Sequence, residues 1–324
     1  MPSLRPTPPR RSNLIPGPAG LPLPPDRNLF ELAGAGGHDC PMESPPTGAH
    51  VALDPLVARV LAPNPSPFTF TGTQTHLIGT DDLAVIDPGP DDPAHIAALL
   101  TAIGGRRVTA IVITHTHRDH SPASRALAVA TGAPIMGCAP LVMDMGPRAD
   151  AAFDSDYAPD CVLSDGESVS GDGWTLTAVA TPGHTSNHLA FALAESGALF
   201  SGDHVMGWST TVVMPPDGDM TAYLASLEKL QTRDDRIYYP AHGEPVTNPA
   251  QHVRHLLGHR RQRERQILTV LEAGPAMIPA MVAAMYPGLD ARLHGAAAGS
   301  VLAHLIDLEG RALVGRDDGL WCRA

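Results

Sequence analysis

The sequence predicts an α/β domain followed by a small, mostly helical module. Three observations carry this. Strand-like and helix-like segments alternate at short spacing between about residues 73 and 240. Several of the apolar strands run directly into polar tips that bear His or Asp beside Gly or Pro. After Tyr239 the pattern changes to long amphipathic stretches closed by a short hairpin-like end.

The elements follow in order. Residues 1–50 read as a disordered, Pro-rich tail, densest in PSLRPTPPRRSNLIPGPAGLPLPP within residues 1–41, and Met42 offers an alternative start. So many prolines forbid the helix of a transit peptide, and the stretch lacks the apolar core of a secretory signal. Regular structure is expected from near Asp54, in a catalytic domain spanning 51–249. Its strands are TQTHLIG (73–79), LAVID (83–87), VTAIVIT (108–114), WTLTAVA (174–180), HLAFALA (188–194) and ALFSG (198–202). Its helices are DPAHIAALLTAI (92–103), PASRALAVATG (122–132) and MTAYLASLEKLQ (220–231), the last behind an Asp219 cap. Residues 250–324 form the second module. A long charged helix over 249–273 leads to PAMIPAMVAAMY, a helix over 296–310, and a final stretch with Asp318–Gly319 in hairpin position. Helix, helix, helix, hairpin is the order of a winged helix.

Charge and cysteine usage narrow the class. Residues 42–249 carry nine basic against twenty-four acidic residues, a net of −15, which repels polyanions and makes nucleic acid a poor partner. Four scattered cysteines without a CxxC suit reduced thiols in the cytoplasm. Apolar runs break within about ten residues, short of the ~20 that span a membrane.

The chemistry gathers at the strand ends. THTHRDHSP (114–122) places three histidines and an aspartate directly after an apolar strand, and a metal ion is the usual compensation for burying such a group. TPGHTSNH (181–188) adds His184, LFSGDH (199–204) adds Asp203, and YYPAHG (238–243) adds His242. Any one of sixteen histidines is incidental alone. Together His115, His117, Asp119, His120, His184, Asp203 and His242 suffice for two metals with three ligands each and one shared carboxylate. Zinc is the expected metal, with manganese or iron as alternatives. Arg118, Ser209, Thr210 and Thr211 are candidates to line the pocket mouth. His188 and His204 lie beside site residues and are read as packing or surface positions, or as contacts to substrate or to a ligand residue. His252, His255 and His259 share a helical face read as solvated.

HTHRDH, PGHT, SGD and AHG occur here in the order of the metallo-β-lactamase superfamily motifs, and the chain resembles that family over about Asp54–Asn248. With APNPSPFTFTGTQTHLIG (62–79), SGDHVMGWSTT (201–211) and the winged helix, it is similar to the lactamase-beta-2-like branch. The resemblance implies an αββα sandwich with the metal site at one edge. It further implies that His115, His117 and His184 hold one metal, that Asp119, His120 and His242 hold a second, and that Asp203 bridges them. Gln74, His76, Asn187 and Ala241 depart from common family residues, none at a ligand position.

The expected function is hydrolysis of a small ester, thioester or lactone by a metal-bridging hydroxide, with Asp119 as proton acceptor. Three alternatives stand beside it: a single-strand endoribonuclease, a mononuclear-iron persulfide dioxygenase, and a non-catalytic winged-helix binding protein. The helix over 296–310 carries no Lys or Arg, which weighs against nucleic acid there and leaves HRRQRER (259–265) as the one basic surface. The winged helix is expected to narrow the active site or to mediate a homodimer.

Overall fold

The computed structural model describes residues 46–141 and 153–324. The reading of residues 1–45 as a Pro-rich tail and of Met42 as a start lies outside the described residues. Thr47 already bridges to Leu61, and Gly48 N donates to Leu61 O at 2.9 Å.

Fourteen strands among the described residues form two sheets and a hairpin. The first sheet runs in sequence order: β1 (Val51–Asp54), β2 (Val57–Leu61), β3 (Gln74–Ile78), β4 (Asp82–Ile86), β5 (Arg107–Ile113), β6 (Ile135–Gly137) and β7 (Cys161–Val162). The second is ordered β12 (Ile237–Pro240), β11 (Ala198–Gly202), β10 (Leu189–Leu193), β9 (Trp174–Ala180) and β8 (Ser168–Gly171). Strand β1 escapes a pattern reading because it is half-exposed and short, while β6 and β7 have only three and two residues.

Period-two alternation explains the layering. In the second sheet Leu176, Phe191 and Phe200 join Ile78, Ile111 and Ile113 of the first sheet in one core. Their strand neighbours Val179, Ala190 and Leu199 point the other way, onto Tyr223 and Leu227 of α3 (Met220–Gln231) and Val253 and Leu256 of α4 (Pro249–Glu272). Helices α1 (Pro93–Ile103) and α2 (Ala123–Thr131) pack beside β2 and β5 of the first sheet. The result is helix, sheet, sheet, helix. Asp92 caps α1 by accepting from His95 N at 2.8 Å, the helix start that its sequence suggests.

Helix α4 belongs to two cores. Its first half closes the second cluster, and Ile267 and Leu271 enter a third with Met281 and Val282 of α5 (Ile278–Met285) and Leu305 of α6 (His294–Gly310). Val314 and Trp321 from the hairpin β13 (Val314–Asp317) and β14 (Leu320–Arg323) complete it. Asp318 (φ 45°) and Gly319 (φ 79°) supply the two positive-φ positions of the tight turn. No helix among the described residues is long and apolar enough to cross a membrane.

Candidate metal centre

Parallel pairing of β4 with β5 and the β10–β11 hairpin bring four chain segments to one edge of the sandwich. His115, His117 and His120 follow β5, His184 and His188 lie between β9 and β10, Asp203 follows β11, and His242 follows β12.

The seven predicted ligand residues form two groups, His115–His117–His184–Asp203 and Asp119–His120–His242, each with donor atoms within 4.8 Å of one another. His117 Nδ1 lies 2.9 Å from His115 Nε2 and 3.0 Å from His184 Nε2. Asp203 faces both groups: Oδ2 is 3.6 Å from His184 Nε2, while Oδ1 is 3.2 Å from His242 Nε2 and 3.6 Å from His120 Nε2. Asp119 Oδ2 lies 3.2 Å from His242 Nε2 and 3.4 Å from His120 Nε2.

Four of the imidazoles are oriented from behind. His184 Nδ1–H donates to Val212 O at 2.6 Å, and His242 Nδ1–H donates to Gly72 O at 3.2 Å. His120 Nδ1 meets Asp87 Oδ2 at 3.0 Å, and His115 Nδ1 meets Thr114 Oγ1 at 3.0 Å. Thr114 in turn donates to Asp87 from its hydroxyl at 2.7 Å and its backbone N–H at 2.8 Å. Carbonyl and carboxylate acceptors fix the proton on Nδ1 and leave Nε2 to a cation.

Electrostatics separate the two groups. Burial, reinforced by the neighbouring imidazoles, holds the His115 pKa well below its ordinary value and His117 at about 3. Burial also opposes charge on His120 and His242, but the facing carboxylates outweigh it, so His120 rises well above the ordinary range and His242 to about 10. Asp119 and Asp203 stay well below the carboxylate range because His120 and His242 overcome their burial. His120 Nε2 and Asp203 Oδ1 are buried without a hydrogen bond. Convergent lone pairs, unpartnered buried atoms and a mixed imidazole–carboxylate set fit divalent metal binding, and each group could hold an ion.

The four predicted mouth residues are not brought together. Arg118 Nε donates to Phe153 O at 3.0 Å, at the surface. Ser209 is buried with its hydroxyl unpartnered. Thr210 lines a separate cavity beside Arg260. Thr211 Oγ1 donates to Asp203 O at 2.7 Å, supporting the backbone of a predicted ligand.

Two further corrections concern helix α4, while His188 fills one of the roles expected of it. His188 is buried: Nε2 accepts from Asp203 N at 3.2 Å and Nδ1 meets Thr181 Oγ1 at 2.9 Å. The helical face of His252, His255 and His259 is only partly solvated: His255 is exposed, but half-buried His252 donates from Nε2 to Met206 O at 3.2 Å and half-buried His259 accepts at Nε2 from Arg263 Nε. In HRRQRER, Arg260 and Arg263 point inward, leaving Arg261 and Arg265 exposed and the basic surface halved. Asp87 was missed altogether, since its only sequence signal is an acid closing the strand LAVID.

Comparison with known proteins agrees with this geometry. Residues 69–242 match the metallo-beta-lactamase superfamily and 278–321 the beta-lactamase associated winged helix domain. An Aspergillus fumigatus atrochrysone carboxyl ACP thioesterase is 34% identical over 229 residues, covering 68% of this chain and 66% of that protein. The beta-lactamase-like protein 2 homologs of Caenorhabditis elegans and Drosophila melanogaster are 34% and 33% identical, covering 68% and 79% of this chain and 72% and 89% of theirs. A beta-lactamase domain protein from Burkholderia ambifaria shares the fold at a TM-score of 0.73 and 22% identity, over 88% of this chain and 96% of that one. By sequence, sandwich and site, this chain belongs to the metallo-beta-lactamase superfamily, an enzyme family that includes hydrolytic thioesterases, and it ends in that family's associated winged helix.

Proposed function

We propose that this protein is a dinuclear, metal-dependent hydrolase of small thioesters, with zinc as its metal. The single observation that supports two ions is Asp203, whose two carboxylate oxygens face the two donor groups separately. His115, His117 and His184 would hold one ion, Asp119, His120 and His242 the other, and Asp203 both. When bound, such a pair supplies Lewis acidity and brings the pKa of a bound water from near 16 toward about 7.

The chain's residues do the rest. Asp119 is part-exposed and commits Oδ2 to His120 and His242, so Oδ1 is available to accept a proton from the attacking water. Thr73 Oγ1 donates to Asp119 Oδ2 at 3.4 Å and limits its rotation. Asp87 and the Val212 and Gly72 carbonyls hold the imidazoles in one tautomer through the reaction. Water is the nucleophile we assign, because burial pushes the Cys138 thiol up and denies it a thiolate.

The thioester class is supported by the thioesterase among the relatives, and a reducing, cytoplasmic setting by the free thiols Cys138, Cys161 and Cys322. RNA hydrolysis is disfavoured by the −15 charge of residues 42–249 and by the inward turn of Arg260 and Arg263. The test is metal content per chain on chelator-free protein, with a hydrolysis screen of acyl thioesters, lactones and single-strand RNA. Two zincs and thioester turnover, both lost in Asp203→Ala, are expected. One iron per chain with oxygen uptake on persulfide would replace the reading with a dioxygenase, and RNA cleavage without thioester turnover would replace the substrate.

A further inference from the structure

A second concentration of buried charge lies outside the metal centre, where α4 and α6 meet the segment 209–213. Arg260 of α4 is 3% exposed. Its Nη2 donates to Thr211 O, its guanidinium lies 5.0 Å from the Tyr223 ring centroid, and its Nε is buried with no partner. Among the described residues no carboxylate pairs with it. The acids of this seam are engaged elsewhere: Asp307 pairs with Arg311 at 2.8 Å and accepts from Thr221 at 2.8 Å, and Glu264 pairs with Arg311 at 2.6 Å.

Neighbouring histidines add buried ring nitrogens without partners. Arg263 Nε donates to His259 Nε2 at 3.2 Å, so the neutral His259 ring carries its proton on Nδ1, a buried atom with no acceptor. His304 of α6 is 2% exposed, and neither ring nitrogen has a partner. A cavity of about 10 Å³ opens here, lined by Thr210, Thr211 and Val212 of the segment, His259 and Arg260 of α4, Tyr286, and Ser300 of α6. That volume seats one occupant of about water size. Water can hydrogen-bond to the hydroxyls of this wall, but it leaves the buried guanidinium unbalanced.

We propose that this cavity is an anion site. It takes one compact anionic centre, either a free halide or a terminal oxygen of an acidic group whose body stays outside. The site adjoins the metal centre without belonging to it: Thr211 O receives Arg260, and the next carbonyl, Val212 O, receives His184. An anion on Arg260 would therefore pin α4 to the segment that orients His184. The inference does not depend on the reaction catalysed.

The experiment pairs crystallography with melting curves on the protein as purified. Crystals in sodium bromide are expected to show an anomalous peak beside Arg260. Melting in bromide or chloride, against gluconate at equal ionic strength, is expected to raise Tm by about 2–4 °C. A rise with acetate or phosphate but not halide would assign the acidic-group source instead. Arg260→Met should abolish the response. Ser300→Ala, which keeps Arg260 packed, should weaken it and decides the matter should Arg260→Met not fold. No peak and no anion-dependent Tm would overturn the proposal. So would a peak without a Tm response, which marks an adventitious ion only, or a response that both variants retain.

Discussion

The metal centre and the α4–α6 seam both bury several histidines among charges, yet they are built on opposite plans. At the metal centre His115, His120, His184 and His242 each have one nitrogen anchored, and the two carboxylates Asp119 and Asp203 oppose the ring cluster. At the seam His304 has neither nitrogen anchored, and Arg260 pairs with no carboxylate among the described residues. Anchoring one nitrogen and offering the other is what a preorganised ligand set requires. Burying donors without acceptors is what a site for something negative requires, or else a standing cost. Burial of polar groups is thus uninformative alone, and the facing carboxylates separate the two regions, because His204 beside Asp203 is as buried and unpartnered as His304.

Substitutions can break or sharpen that contrast. The largest effect is expected at Asp203, whose carboxylate oxygens face both donor groups. Asp203→Ala should lower kcat/KM by at least about 10³-fold and reduce bound metal, measured by steady-state assay and metal analysis. Next come the supports. Asp87→Asn and His188→Leu remove groups that hold His120, Thr114 and the Asp203 backbone, and metal affinity should weaken about 10–100-fold in a chelator competition. Unchanged affinity in both variants would mean the anchoring is incidental to metal binding.

The seam should answer differently. His304→Leu replaces a buried ring with no partners by an apolar side chain, so at pH 8 its stability should stay within about 1 kcal/mol of wild type or rise, read from denaturant melts. Acid sharpens the point. Burial, with Arg260, Arg263 and Arg311 nearby, holds His304 well below its ordinary pKa, and burial with Arg260 and Arg263 takes His259 to about 3. Below about pH 6.5 the unfolded chain binds protons that these native rings refuse, so stability falls as pH drops toward the His259 value of about 3. At pH 5 the His259 ring removes about 2 kcal/mol, and His304 acts in the same direction. His304→Leu should accordingly show a shallower acid slope than wild type, and an equal slope would place the acid sensitivity elsewhere.

How much of this was legible in the sequence depends on the range of the signal. The strands flanking the centre and the convergence of all seven candidate donors were readable, because each of their segments follows a run of apolar, β-prone residues. Asp87 was not, because its role arises only when parallel pairing sets Ile86 against Val112 and carries the acid to Thr114 and His120. Its positive φ of 47° is equally invisible beforehand. Arg260 misled for a related reason. In HRRQRER every residue is polar, so helical periodicity has no apolar stripe by which to tell the inward arginines from the outward ones. His188 sat beside a motif without belonging to it, and only the hydrogen bond from Asp203 N gives it a task.

Helix α4 ends one core and begins the next without a break, and that continuity makes it a phase-setting part. An α-helix advances about 100° per residue. One residue added between Leu257 and Ile267 would rotate the whole winged helix by that angle against the sandwich and would carry Arg260 off Thr211, or the third core off its axis. Replacement of surface residues on this stretch costs the fold little, but insertion or deletion breaks its register. The count of residues from Leu257 to Ile267 is therefore held as tightly as the identity of a ligand, by geometry in place of chemistry.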